Sequence, residues 1–586
     1  MRIHASVPRT WKLELCRLRA TKPADRKHSP AAILIMRIRQ AFVPLLATIV
    51  PASVVAQQSA NLTPKVDAIF ARFDRNTPGC GVALAKNGAP LLTKGYGAAN
   101  LEYGIPNTDS TVFESGSVAK QFTAAALVLL EQDGKLALDD DIRKYLPEVP
   151  AFGGQKITIR HLLTHTSGLR DQWGLLLIEG RGPGTQVHSA ATTLDLIVHQ
   201  KMLNFPPGSR YLYSNSGYAL AGLIVQRVSG KSLDAFTQER LFKRLGMTHT
   251  QWRDDFTQVV RNRATAYDST GGRGFHTDMP FTDMIGNGGL LSTMSDLLKW
   301  NENLDNPKVG GPRFTQALET RMRLTSGRTI TYALGLTVDD YRGVREVSHG
   351  GSTAGYRTHL VRYPDQRVSI AVWCNNASAG PAVLLHQIAD LVLTFPPAVT
   401  QASAEKVEVA ASAIAKWAAT YRNPLTDQAM TLAASERGIT VAGGRGNVVW
   451  MPRGATFKSP QGDVTFRGTA GSRSFAVVGA DGDTSTFEEA RAAKSPLPVS
   501  DYVGTYASDE LDVKLTVVAR DGRLLVTRRP ADEIALRPAY ADDFVGGGGL
   551  GSIRFSRDAN GAVNGFAIFA GRVLDVRFAK VSSRTR

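Results

Sequence analysis

Strand-like runs stand at both ends of residues 80–395 and a helical stretch lies between them, an order that restricts the fold more than any other property of this chain. At the front, Gly81-Val82-Ala83-Leu84-Ala85 and Pro90-Leu91-Leu92 flank Asn87-Gly88, the chemistry of a tight hairpin turn. At the back, residues 348–352, 356–363 and 368–375 read as strands, Pro364-Asp365 supplies one turn, and a closing helix fits Pro381 to Leu393. Between them, Ser117 to Leu130 is rich in Ala and Leu and free of Gly and Pro, which predicts a buried helix ending at Gly134. Helical and loop patterns continue to about residue 325. Strands this far apart must meet in one sheet, so the expected class is α+β.

Beyond Pro396 the pattern changes to short β-like runs punctuated by Gly. Trp417-Ala418-Ala419-Thr420-Tyr421 matches Tyr502-Val503-Gly504-Thr505-Tyr506, and each is followed by runs such as Gly438-Ile439-Thr440-Val441 or Arg523-Leu524-Leu525-Val526. This weak repeat predicts two small all-β, barrel-like units, 405–495 and 498–586, divided near Pro496-Leu497-Pro498; one larger sandwich is the alternative. With 586 residues, the chain is too long for one compact domain.

The net charge of +17 would suggest a nucleic-acid or membrane partner, but its distribution argues against both. Residues 1–56 hold ten Lys/Arg against two Asp/Glu, leaving +9 dispersed over the other 530 residues. The basic excess belongs to a leader. From Met36, Met-Arg-Ile-Arg-Gln precedes the apolar run Ala41 to Val50, then Pro51 and small residues up to Ala56, the three zones of a secretory signal peptide. Cleavage is expected near Ala56, with Met36 as the start and an extended leader as the alternative. Ten apolar residues are too few to span a bilayer, so the mature chain, 57 onward, is read as exported to the periplasm or medium without a membrane span.

Ser117-Val118-Ala119-Lys120 is a Ser-x-x-Lys tetrad that opens the predicted buried helix. At a helix start, positions i and i+3 share a face, so the amine reaches the hydroxyl, and a desolvated Lys can activate a Ser that is a weak nucleophile alone. Tyr213-Ser214-Asn215 follows Pro206-Pro207-Gly208; in an extended segment its phenol and carboxamide project the same way. The bland reading is that Ser214 or Asn215 only caps the next helix. His349-Gly350-Gly351 sits on a strand where missing side chains permit close approach of a substrate backbone. His161 and His165 share a helical spacing found in zinc sites, but no Glu follows the first and no third ligand is evident, so no metal or cofactor is expected.

Ser-x-x-Lys, Tyr-x-Asn and His-x-Gly in this order resemble the serine β-lactamase and D,D-peptidase superfamily, in its class C-like branch, over roughly residues 64 to 395. Residues 159–169, Leu245-Gly246-Met247 and Gly288-Gly289-Leu290-Leu291-Ser292-Thr293 are also similar to that branch. The resemblance implies a β-lactamase/transpeptidase-like domain, 57–396, in which an antiparallel sheet flanked by helices meets an all-α subdomain. It implies Ser117 as nucleophile, Lys120 as its activator and Tyr213 as proton shuttle. Asn215 would orient substrate amides, and the backbone N–H groups of Ser117 and Ser352, beside Gly351, would form the oxyanion hole. His349 stands where the commonest pattern has Lys, which weakens recognition of a substrate carboxylate because imidazole is mostly neutral near pH 7.

The His-x-Gly motif and paired C-terminal β units most resemble D-aminopeptidases. The expected activity is hydrolysis of a small D-amino-acid amide or short peptide. A β-lactamase or D,D-carboxypeptidase, a carboxylesterase, and a non-enzymatic penicillin-recognising sensor or binding protein are the alternatives. Two further expectations follow from the resemblance. Cys80 and Cys374 would lie close on neighbouring strands, where two free thiols are the expected outcome because cross-strand disulfide geometry is demanding, and a disulfide is the alternative. The loop Asp542-Asp543-Phe544-Val545 with Gly546 to Gly549 reads as a flexible surface turn, with the alternative that it reaches into the cleft and offers an acid to a substrate amine.

Overall fold

The computed structural model describes residues 52–581 except 273, 398–413, 443–447, 454–455, 480–483, 494–496 and 529–531, with side chains from residue 59. The leader before residue 52 and Pro496 at the expected division lie outside the described residues. The hairpin forms as its turn chemistry requires: β1 (Cys80–Lys86) and β2 (Ala89–Tyr96) are joined by Asn87 at φ 55° and Gly88 at φ 77°. The returning strands are β3 (Thr337–Tyr341), β4 (Val344–Thr353), β5 (Tyr356–Tyr363) and β6 (Val368–Cys374). They complete an antiparallel sheet of order β3-β4-β5-β6-β1-β2, of which β3 is an edge strand that sequence patterning missed.

Period-2 alternation decides what each face covers. Val82, Leu84, Ile370 and Val372 pack beneath the helices α1 (Ala52–Phe70) and α6 (Pro381–Val392), whereas Ala83, Ala371 and Trp373 face the helical middle. That middle contains α2 (Lys120–Gln132), α3 (Gln172–Glu179), α4 (Asn215–Ser229) and α5 (Met294–Asp305). The free-thiol expectation is corrected. Cys80 and Cys374 are directly opposed in the β1–β6 register, turn to the same face, and form a disulfide. Direct opposition brings the two sulfurs within bonding reach without a shift of either strand.

The C-terminal region is two closed eight-stranded barrels, spanning residues 419–489 and 504–580, rather than one sandwich. The sequence repeat has a physical meaning. Tyr421 donates its phenol to the carbonyl of Trp417 at 3.0 Å, and Tyr506 makes the same bond to Tyr502 at 2.7 Å, so each barrel is pinned at its entry by one device.

Between the barrels, Asp427 of the first accepts from Tyr540 and Arg554 of the second, while Asp543 accepts from Ser552 at 2.5 Å. Burial pushes the Asp543 carboxyl up to about 8, against the Ser552 hydrogen bond and with help from the nearby Asp427 charge. The folded value lies above the unfolded one, so this group's contribution is present below pH ~4 and is lost as pH rises towards about 8. Asp543→Asn mimics the protonated acid. Its Tm should therefore fall less than that of the parent between pH 6 and pH 8.5, by calorimetry, and equal falls would refute the linkage.

Candidate functional site

Ser117 lies in a 3₁₀ turn, Gly116–Ala119, that leads directly into α2, so the predicted helix starts with a tighter turn than an α-helix. β4 runs against this turn. A Cβ on Gly116 would meet the backbone nitrogen of Ser352 at 2.5 Å, and one on Gly351 would lie 2.1 Å from the carbonyl oxygen of Ser115. Only glycine permits this approach, which brings the backbone nitrogens of Ser117 and Ser352 to the same edge of the cleft.

Lys120 is fully buried at the start of α2, and its Nζ donates to Ser117 Oγ at 3.0 Å, Asn215 Oδ1 at 2.9 Å and the Asn287 carbonyl at 2.6 Å. Burial holds the amine well below the ordinary lysine range; Asp171 opposes this shift and Arg572 adds to it. Tyr213 presents its ring 4.9 Å from the same Nζ. Its phenol is pushed upward by burial, against a hydrogen bond with Ser117, so it stays protonated near neutral pH.

Ser214 takes the extended backbone of an N-cap, as the bland reading expected, but makes no side-chain capping bond; Asn215 opens α4. The Asn215 amide is engaged on both sides. Its oxygen accepts from Lys120, and its Nδ2 donates to Asp171 Oδ2 at 2.9 Å. Asp171 also receives the backbone N–H of Asn215 at 2.7 Å and caps α3 through Trp173 and Gly174. This buried carboxylate thus fixes which face of the Asn215 amide meets Lys120.

His349 reaches the cleft wall, but its ring is occupied: Nδ1 pairs with the Gly350 carbonyl at 2.6 Å, so Nε2 accepts from the Tyr332 phenol at 2.8 Å. Burial, then the Lys120 charge, pushes this imidazole down to about 3, and it is neutral throughout the physiological range. The two histidines with zinc-like spacing act separately. His161 closes a capping box with Thr158, while His165 accepts the N–H of Ser214 at 3.1 Å and packs its ring 3.9 Å from Tyr213, fixing the phenol's plane.

The structure therefore brings Ser117, Lys120, Tyr213, Asn215, His349, Gly351 and Ser352 around one cleft of about 870 Å³, whose other walls include Trp173, Met279 and Phe281. Sequence reasoning missed Asp171, Tyr332 and Arg572, none of which belongs to a short pattern. It also misplaced the contribution of the last barrel. Asp542 is held by Arg557 and Tyr502, Asp543 is buried against Ser552, and Gly549 packs on Leu177 of α3. The acids and glycines of 542–549 are spent on barrel closure and docking. The cleft is instead lined by Arg572, which follows Gly571 in the turn between the last two strands.

Comparison with known proteins gives a consistent picture. The family model described as Beta-lactamase matches residues 55–393. A D-aminopeptidase of Gluconobacter oxydans is 30% identical over 323 residues, covering 55% of this chain and 60% of that protein. A D-aminopeptidase of Brucella anthropi is 28% identical over 363 residues, covering 62% of this chain and 66% of that protein. The matched region thus spans a little under two thirds of those two relatives. Among solved structures, the octameric penicillin-binding protein homologue from Pyrococcus abyssi superposes with a TM-score of 0.51 at 20% identity, over 80% of this chain and 98% of that one, a likeness of fold.

Proposed function

The chain belongs to the beta-lactamase family, and from that premise we propose that it is an exported serine hydrolase that cleaves an amide or ester of a small D-amino-acid substrate through an acyl-enzyme on Ser117. The observation that carries the reading is the hydrogen bond from a fully buried Lys120 to Ser117 Oγ, with the Tyr213 ring beside both. In the neutral form that burial favours, the Lys120 amine keeps its N–H bonds to Asn215 and Asn287, turns its lone pair to the Ser117 hydroxyl and takes that proton as Oγ bonds to the carbonyl carbon. The oxyanion is held by the N–H groups of Ser117 and Ser352. The leaving group departs with the Tyr213 proton, and the phenolate recovers one from the Lys120 ammonium. Water then attacks the acyl-enzyme ester and gives a proton to the Tyr213–Lys120 pair, which passes it to Ser117 Oγ as the bond between Oγ and the acyl carbon breaks and the acid is released. Asn215 and Asp171 hold Lys120 in place, while His349, being neutral, shapes the wall with Gly351 and carries no charge to the substrate.

The aminopeptidase-like substrate class rests on the D-aminopeptidase relatives. In the same reading the chain divides into a leader, 1–56, a hydrolase domain, 57–396, and β units 405–495 and 498–586. Export rests on the residues from Met36 to Ala56. Among the described residues no helix is long and apolar enough to cross a membrane. Labelling a periplasmic fraction with a fluorophosphonate and mapping the protein by mass spectrometry tests both parts: the adduct is expected on Ser117 and the N-terminus near Gln57. An adduct elsewhere would sink the mechanism, and an intact Met1 form confined to the cytoplasm would sink export. Sustained turnover of D-Ala-p-nitroanilide above a p-nitrophenyl ester and a chromogenic cephalosporin is the expected substrate order.

A further inference from the structure

The second barrel places a cation against the catalytic tyrosine. Arg572 sits in the two-residue turn between the strands Val563–Ala570 and Val573–Lys580, behind Gly571 at φ 63°. The turn's backbone is clamped to the hydrolase domain. Asn204 donates to the Arg572 carbonyl at 3.0 Å and accepts from Leu574 N at 2.9 Å, and the fully buried Arg170 donates to the carbonyls of Leu574 at 3.0 Å and Asp575 at 2.8 Å. Arg170 is also ion-paired with Glu510 of the same barrel. The backbone is fixed on both sides, and the Arg572 side chain lines the cleft that holds Ser117.

The guanidinium lies over the Tyr213 ring, 4.6 Å from its centroid, and its Nη1 is 4.0 Å from Asp171 Oδ2. That oxygen is already engaged by two N–H groups of Asn215, so the pairing with Arg572 is long. Among the described residues the Arg572 guanidinium donates no hydrogen bond, and its side chain keeps 49% of its exposure. The other arginine on the cleft wall, Arg357, spends Nη1 on the carbonyls of Ala354 and Tyr356. His349, in the motif position where a fixed positive charge would serve, is neutral and fully bonded. A planar fork of unspent donors beside the reacting atoms matches a carboxylate.

We propose that Arg572 is a specificity-determining residue that binds a carboxylate of the substrate, so that between otherwise matched amides or esters the anionic one is preferred and the second barrel is part of the binding site. This rests on the acyl-enzyme reading and deepens it. The carboxylate can come from the acyl part, as an acidic side chain, or from the leaving group, as a free C-terminus.

Two substrate pairs separate these sources in the full-length protein: mono-p-nitrophenyl glutarate against p-nitrophenyl valerate, and D-Ala-D-Ala against D-Ala-D-alaninamide. The parent should favour the anionic member of one pair, and Arg572→Ala should lower that preference ratio roughly 10- to 100-fold, the worth of a hydrogen-bonded charge pair. Arg572→Lys, which keeps the charge and loses the fork, should fall between. Slowing of Ser117 labelling by free glutarate in the parent, and not in Arg572→Ala, is the expected binding readout and does not depend on turnover. Ratios unchanged within twofold in both pairs, together with equal protection by glutarate, overturn the proposal. Turnover that survives Ser117→Ala would instead overturn the acyl-enzyme reading, whatever Arg572 does.

Discussion

Ser117→Ala is expected to lower kcat by about 10⁶-fold on any amide or ester that the parent turns over, the scale of loss when a serine nucleophile is removed from residues that act as a unit. The variant keeps Cβ and the tight contact of Gly116 with β4, and Lys120 keeps Asn215 and Asn287 as acceptors. The loss is therefore chemical, and Tm should stay close to that of the parent. Active-site titration of the parent before the comparison separates the two functional classes weighed from the sequence. Product beyond one equivalent marks a hydrolase, whereas a single burst marks a sensor that is acylated and stops. Residual activity in Ser117→Ala above about 1% that co-purifies with the protein would mean that another group attacks.

What could be read from the sequence follows the range of each contact. Ser117 and Lys120 are three residues apart on one turn, so spacing alone brings amine to hydroxyl, and the structure shows that bond. Tyr213 and Asn215 are separated by one residue at a helix start and enter the same cleft together. Asp171 is different. Its partners are Asn215 on another helix and the first turn of its own, and an Asp before a helix reads as an ordinary N-cap. The cap is real; what pattern cannot show is that the same carboxylate also sets the orientation of the Asn215 amide.

The corrections have the same origin. Strand neighbours were foreseeable for Cys80 and Cys374, but pairing depends on register to the residue, and β1 and β6 are in register at those positions. In the last barrel, a run of glycines beside two acids looks like a mobile acidic loop. The acids have partners in the barrel wall, and the run packs on α3. The turn whose Arg572 does line the cleft, Gly571-Arg572, is two residues long and is placed by Asn204 and Arg170, far away in the chain. Which of several surface turns faces an active site depends on how two domains dock, and composition carries no trace of that.

Tyr213→Phe should lower kcat by about 10²-fold or more on anilides, because it deletes one oxygen and with it the group that protonates the leaving nitrogen. The ring's packing survives: His165 at 3.9 Å, Lys120 Nζ at 4.9 Å and the Arg572 guanidinium at 4.6 Å all contact carbon faces that phenylalanine retains. Burial keeps the phenol protonated near neutral pH, so its role at the acylation step is that of an acid and its loss falls on leaving-group departure. The size of the effect must then track leaving-group basicity. A p-nitrophenolate leaves without a proton, so acylation by p-nitrophenyl esters should slow far less than acylation by the matching p-nitroanilide. Lys120 remains to deprotonate Ser117, and labelling by a fluorophosphonate, whose fluoride needs no general acid of this strength, should persist in the variant. Single-turnover rates on the ester and anilide pair give the test: equal losses on both would assign the phenol to activating Ser117 rather than to releasing the leaving group.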